Sequence, residues 1–351
     1  MPLIRRSLRR VPRAVAAKAG RSFAAAAGAF FLVHPAPVHA ATTARMSTRQ
    51  WTMPLATGTP LDPRSPALVN SLVTTVRNGI ASGRSPWIAT GRCAYREYRV
   101  PASQPVRRVA LSEADKAWRA PLQAAFERVP IPVHAIPTRC SDSVLVIKQP
   151  STNRMWELWK ARRAADGWHA EWGGATRHLS TNPGWFGPDD WPGATYNWGA
   201  SASSMTLTGG TVRLSEWRNA RIDHAVALSL PQVAAGVWAW PAQRTDGVLT
   251  APSAIPYGAR FRLDPALNIA ALDVPAATKT LARAVQRYGF IVREQTNWAV
   301  GVSSEATPEN DPTAYRRVFG GTAGTVMQAF PWNRLKLVRM DLRSNAGPPA
   351  R

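Results

Sequence analysis

The chain reads as a β-rich domain with helices at its margins. Three observations carry that reading. Thirty prolines and twenty-four glycines punctuate short apolar runs, the text of many strands joined by turns. Several of those runs alternate apolar and polar residues over five to nine positions. Helical periodicity appears only near the two ends.

The first forty residues stand apart from the domain. "MPLIRRSLRRVPRAVAAKAGR" is basic with no acidic residue, "SFAAAAGAFFLV" is a short apolar core, and "HPAPVHA" ends with Val38 and Ala40 in the places a signal peptidase reads. The apolar run is shorter than the roughly 20 residues a membrane span needs. Residues 1–40 are therefore expected to be an export signal, leaving no integral membrane segment once cleaved and a secreted product. Arg5-Arg6-Ser7-Leu8 resembles a twin-arginine signal, and the arginine-rich flank explains it equally, so the Sec and Tat routes both stay open.

Residues 41–64 lack periodicity and read as a flexible linker. In "PALVNSLVTTVRNGI", Leu68, Leu72 and Val76 with Val69, Val73 and Ile80 predict a helix ending near Asn78-Gly79. "YREYRVPASQPVRRVAL" and "SVLVIKQP" read as strands, "LSEWRNA" as a helical turn capped by Ser215, and "IDHAVALSL" and "GVWAWPAQ" as strands. "VPAATKTLARAVQRYG" sets Leu281, Val285 and Tyr288 on one helical face, with Gly289 closing the helix. "FIVREQTNWAVGV" is strand, turn, strand. One domain over 65–343 with a disordered 344–351 tail is expected, and a monomer.

The formal charge of +23 suits an acidic partner such as a uronate polymer, teichoic acid or anionic lipid, or reflects arginine spread over a solvated surface. No dense basic cluster survives beyond residue 40, which argues against nucleic acid. Cys93 and Cys140, an even pair in an exported chain, suggest one disulfide. His134, His169, His178 and His224 show no HExxH or HxH spacing, so no metal is expected, and no cofactor motif (P-loop, GxGxxG) or GxSxG elbow is present.

The hairpin "MWELWKARRAADGWHAEWGG" carries the sharpest functional signal. A two-residue turn centred on Asp166-Gly167 would set Ala161 opposite Trp172 and Arg162 opposite Glu171. Glu157, Trp159, Ala161, Trp168, Ala170 and Trp172 then share one face, with Trp156, Leu158, Lys160, Arg162, His169 and Glu171 on the other. Glu171 has cationic neighbours. Glu157 lies among tryptophans, so either a hydrogen-bond donor or arginine faces it, or the face is an open cleft. Indoles that stack on sugar rings beside a carboxylate make a glycan site, and burial raises a carboxyl towards general-acid use. Glu157 and His224 are the candidate catalytic pair, Trp159, Trp172, Trp238, Gln243 and Arg244 the candidate substrate contacts. His224 serves equally as a satisfied core residue, and Arg244 either meets a substrate carboxylate or pairs with Asp246. Trp185, Trp191 and Trp198 sit in an irregular loop where contact aromatics are common. Asp189 and Asp190 in that loop are better read as a cap than as Ca²⁺ ligands.

"QPSTNRMWELWKARR", "GWHAEWGG", "WPGATYNWGASA", "RIDHAVAL", "WAWPAQRTDG", "IPYGARFRLDP" and "RYGFIVREQTNW", spanning about Ser85 to Val302, together resemble a family of exported actinobacterial proteins known chiefly as hypothetical proteins. The resemblance implies a concanavalin-like β-sandwich, or jelly roll, with a few peripheral helices. That superfamily holds glycan-binding domains, glycoside hydrolases and polysaccharide lyases. The ExDxxE triplet of its hydrolases is absent, and "IDH" only loosely matches the Gln-x-His strand of its lyases, so the resemblance assigns no catalytic residue. The expected function is recognition, with possible cleavage as a glycoside hydrolase or lyase, of a cell-wall or environmental polysaccharide. The alternative is a non-catalytic adhesion or structural exported protein.

Overall fold

The computed structural model describes residues 50–112, 119–309 and 311–344. They belong to one compact unit, Arg45–Arg351. The expected export segment and residues 345–351 lie outside the described residues.

Six helices punctuate the described chain: α1 (Ser65–Ala81), α2 (Arg119–Phe126), α3 (Leu214–Arg218), α4 (Ala276–Arg287), α5 (Ala314–Phe319) and α6 (Ala323–Gln328). The strands are β1 (Trp87–Ala89), β2 (Glu97–Arg99), β3 (Val109–Leu111), β4 (Leu145–Gln149), β5 (Arg154–Trp159), β6 (Arg162–Ala164), β7 (Gly167–Ala170), β8 (Trp172–Thr176), β9 (Val226–Leu230), β10 (Val237–Ala239), β11 (Arg260–Leu263), β12 (Phe290–Gln295), β13 (Gly301–Ser303), β14 (Leu335–Leu337) and β15 (Leu342–Ser344). None of the helices is long and apolar enough to cross a membrane.

The β-rich class holds, and among the described residues the strands form several sheets with no barrel. Their pairing does not establish the expected jelly roll. A six-stranded mixed sheet runs β1-β13-β9-β12-β11-β14, a four-stranded one β2-β4-β5-β8, a three-stranded one β3-β7-β6, and β10 pairs β15. The β1–β13, β2–β4, β3–β7 and β9–β12 pairs are parallel, whereas up-and-down and Greek-key sandwiches are antiparallel.

Two apolar cores result. In the larger, α1 lies on β14, α4 on β11 and α6 on β1. Leu68, Leu72 and Val76 bury one stripe of α1, Leu281 and Val285 one stripe of α4, as the 3.6-residue period requires. Gly289, with φ 87°, reverses the chain from α4 straight into β12. Ile80, expected on the buried face of α1, is exposed. The cap of α3 lies two residues before the expected Ser215: Arg213 is the N-cap, and its N–H donates to Glu216 Oε2 at 2.7 Å.

The smaller core lies under the four-stranded sheet, where Trp156 and Leu158 of β5 and Leu145 and Ile147 of β4 meet Leu122 and Phe126 of α2. Tyr95, Val144, Val146 and Leu207 form a third, minor cluster on the opposite face of that sheet. β4 and β5 are therefore covered on both faces, which is why their sequences run apolar rather than alternate.

The expected linker is anchored at Gln50, Trp51 and Asp62, which are buried, while most of the residues between them are exposed. Trp51 is 7% exposed and joins the larger core, and its carbonyl accepts from Ala225 N–H at 2.6 Å. Gly210, at φ 69°, leaves room for the indole: a Cβ there would lie 2.2 Å from Trp51. A linker reading missed this because one large apolar side chain gives no periodicity. Trp51→Ala should cost about 3–5 kcal/mol, as buried aromatic truncations do. Chemical denaturation checks it, and a change below about 1 kcal/mol would restore the free-linker reading.

Candidate functional site

The hairpin that carried the strongest sequence signal turns one residue earlier than expected. Its pairs are Arg162↔His169, Arg163↔Trp168 and Ala164↔Gly167, so Ala165-Asp166 is the turn. Gly167, at φ 129°, opens the return strand. The same register continues outward as Trp159↔Trp172 and Glu157↔Gly174. Trp159 therefore still faces Trp172, but Ala161, Trp168 and Ala170, expected on the Glu157 face, pack with Trp156 and Leu158. Lys160, at φ 54°, breaks the strand, so β5 and β8 join β4 while β6 and β7 turn away to β3.

Glu157 is 0% exposed. Its Oε1 accepts from Leu207 N–H at 2.8 Å, and Oε2 is sealed without a hydrogen-bond partner. Burial pushes the carboxyl up to about 8, against the opposing pull of the Leu207 amide and the Arg293 charge. It is a cross-core tether and does not line the cleft described below. His224 stands elsewhere: its Nε2 lies 3.1 Å from Glu216 Oε1 and its Nδ1 is 2.7 Å from the Ala225 carbonyl oxygen. It precedes β9 instead of lying within it. The expected Glu157–His224 pair is thus not assembled. Trp238 is a core side chain, and Gln243 donates to the Pro241 carbonyl of its own loop at 3.0 Å. Glu171 makes no ion pair among the described residues.

The remaining expected contacts converge on a cleft of ≈ 1130 Å³ between the two cores. One wall belongs to the smaller core. Trp159 lines it and donates from Nε1 to Asp142 Oδ1 at 3.2 Å. Trp172 lines it and donates from Nε1 to the Asn197 carbonyl at 2.9 Å. The facing wall comes from the six-stranded sheet, at the end of β12 and in the loop to β13. Trp298 stands on that loop, 53% exposed, with the Arg84 guanidinium 5.5 Å from its ring centre.

β12 explains the polar part of this wall. It pairs Val292 with Leu228 and Glu294 with Ser229, leaving Arg293 as the extra residue of a β-bulge. A bulge re-aims side chains, and the consecutive Arg293 and Glu294 both line the cleft. Arg293 is 2% exposed. It donates to the carbonyls of Leu207 and Gly209, the latter at 2.7 Å, and to Ser303 Oγ at 2.7 Å. Glu294 Oε1 is sealed without a hydrogen-bond partner. Desolvation pushes Glu294 up to about 8, with Arg293 opposing and Asp142 and Asp246 reinforcing.

Arg244 does not pair with Asp246. It donates to the Gly199 and Ser201 carbonyls at 3.2 and 2.8 Å, and Asp246 Oδ1 accepts from Tyr257 Oη at 2.8 Å. Burial, then the Glu294 and Asp246 charges, raise the Tyr257 phenol far above its ordinary range. Asp142, Asp246 and Glu294 therefore share one cleft with Arg92, Arg244 and Arg293. Sequence reading passed over Asp142, Trp298, Arg293 and Glu294. The available signal was Arg-Glu-Gln at the end of an otherwise apolar interior strand, since charged residues seldom occupy such positions without a task.

Cys93 and Cys140 meet at the cleft's edge as thiols. Burial and the contact with Cys140 push Cys93 up to about 12. Asp190 is a loop cap, as expected: Oδ2 accepts from Gly187 N–H at 2.7 Å and Oδ1 from Asn182 Nδ2 at 2.8 Å. Trp198 is fully buried and Trp185 and Trp191 partly so, so the loop tryptophans serve packing more than contact. No group of three or more His, Cys, Asp or Glu among the described residues could hold a metal ion. No protein-family model, curated protein or solved structure matches the chain.

Two outcomes check this geometry. Glu157 holds its proton in the folded chain up to about pH 8, whereas its ordinary value is 4.5. Its contribution to stability is complete below that ordinary value and is lost as pH rises towards 8. Glu157→Gln should flatten the fall in Tm over that range, Glu294 still contributing its share; an unchanged slope would mean that Glu157 is not buried. Treatment with oxidised glutathione should join Cys93 to Cys140, each thiol losing one hydrogen as glutathione is reduced. Peptide mapping without reductant would reveal the bridge, and two separate glutathione adducts would show that the thiols do not meet.

Proposed function

We propose that the chain is an exported carbohydrate-recognising protein that binds a polysaccharide in the cleft between its two cores. The observation that carries this reading is the make-up of the cleft. Indoles stand on both walls, Trp159 and Trp172 on one and Trp298 on the other, with carboxylates and guanidinium groups between them. Sugar rings offer apolar C–H faces to indoles and hydroxyls to charged groups, and binding sites commonly pair an apolar wall with a few placed polar groups. The volume of ≈ 1130 Å³ suits a segment of several sugar units better than a single ring. The strongly basic chain favours a polymer carrying some negative charge, and the cleft sets three arginines against two aspartates and a protonated Glu294. Export rests on the residues of the first forty positions, and the concanavalin-like sandwich on the resemblance; binding in this cleft requires neither.

Affinity of the purified chain for a panel of neutral and acidic polysaccharides tests the reading. Trp298→Ala and Trp159→Ala should each weaken binding about tenfold, equal to about 1.4 kcal/mol. Trp238→Phe, in the core, should leave affinity unchanged. Equal affinity in all three variants would remove the cleft from the binding reading, and no affinity for any glycan would remove the reading itself.

A further inference from the structure

This inference rests on the carbohydrate-binding reading and concerns what happens to a bound glycan. We propose that the cleft hydrolyses a glycosidic bond, Glu294 donating the proton and Asp142 on the facing wall activating water.

Three features single out Glu294. It follows the bulge at Arg293, so backbone geometry fixes its aim into the cleft. Its Oε1 has no hydrogen-bond partner, and the residue lines the cleft, which Glu157 does not. Arg293 beside it is 2% exposed and keeps an unpartnered Nε. A desolvated carboxyl remains protonated at neutral pH, which a proton donor requires, and the direction of the Glu294 shift agrees.

The second carboxylate must lie across the scissile bond from the first. Asp142 lines the same cleft as Glu294, and its charge is felt at the Glu294 carboxyl. It belongs to the segment running into β4, on the smaller-core wall, and Trp159 orients it through the 3.2 Å indole bond. It is exposed, so water reaches it. Asp246 is less suited, because it shares the Glu294 wall and already accepts from Tyr257. The Tyr257 phenol, held protonated by burial, makes a poor base, which disfavours elimination and favours hydrolysis.

The step balances without a co-reactant other than water. Glu294 transfers its proton to the glycosidic oxygen, the C1–O bond breaks, and its electron pair leaves with the alcohol. Water forms the new bond to C1 and gives a proton to Asp142. Exchange with solvent then returns a proton to Glu294 and takes one from Asp142.

The test is release of reducing ends by the full chain from the polysaccharides it binds, with Glu294→Gln and Asp142→Asn alongside. Glu294→Gln should keep affinity and lose roughly 10²–10⁴-fold in kcat. Its rate should recover towards that of the native chain on nitrophenyl glycosides, whose leaving group needs no proton, whereas Asp142→Asn should stay slow on both. If Glu294→Gln melts below the assay temperature, Glu294→Asp serves instead, with reduced turnover on polysaccharide and less loss on the activated glycoside. Unchanged release by Glu294→Gln would overturn the assignment. Binding with no release by the native chain would overturn hydrolysis and leave recognition standing. Absence of binding would remove both readings.

Discussion

Leu207 is the point where the two cores are tied together. Its N–H is held by Glu157 from β5, and its carbonyl accepts from Arg293 of β12, from Tyr95 and from Thr211. One residue of an irregular loop thus joins the four-stranded sheet to the six-stranded one. The partners are nearly sealed from water, where an unmade hydrogen bond costs the full desolvation of its group. Removing Glu157 would strand the Leu207 N–H, which it alone holds, and so loosen the joint between the two walls of the cleft.

The same joint shapes the chemistry above it. Arg293 must point towards residues 206–209 to satisfy three acceptors, and it does so as the extra residue of a bulge. That extra residue sets Glu294 on the cleft wall beside it. In a regular strand the two would face opposite sides, with one charge buried in the larger core. The cleft therefore receives a partly buried carboxyl because the fold needs a buried guanidinium next to it. Asp142, Asp246 and the protonated Glu294 share the cleft with three arginines, and a low local dielectric strengthens each contact.

Sequence resolved the periodic parts well. α1, α4 and the β12–β13 segment appear within a few residues of their expected places, because amphipathic stripes and a closing Gly289 are local signals. It also placed Trp159, Trp172, Arg244 and the two cysteines, all now at one cleft. It failed where the outcome depends on distant contacts. β4 and β5 are covered on both faces, so their pattern could not show that the domain has two cores. Asp-Gly suggested a turn centred one residue too far along, since Gly167 serves at a strand start. Trp51 anchors a segment with no other apolar rhythm. The bulge leaves no trace in the spelling of "FIVREQ", so the strand's charged end read as its frayed end.

Glu157 and Glu294 show why a raised pKa alone does not mark a functional carboxyl. Desolvation pushes both up to about 8, and Arg293 opposes the shift in both. They differ in what else each oxygen meets. Glu157 is wholly enclosed and holds the Leu207 amide, so its protonation changes stability and cannot reach a ligand. Glu294 ends a strand at the cleft, with one oxygen sealed and the side chain only partly buried. "MWELWK" does set a carboxylate among tryptophans, and there Glu157 holds the two cores together. The carboxylate with access to a ligand comes from the opposite wall, and its nearest exposed indole is supplied by its own following loop, at Trp298.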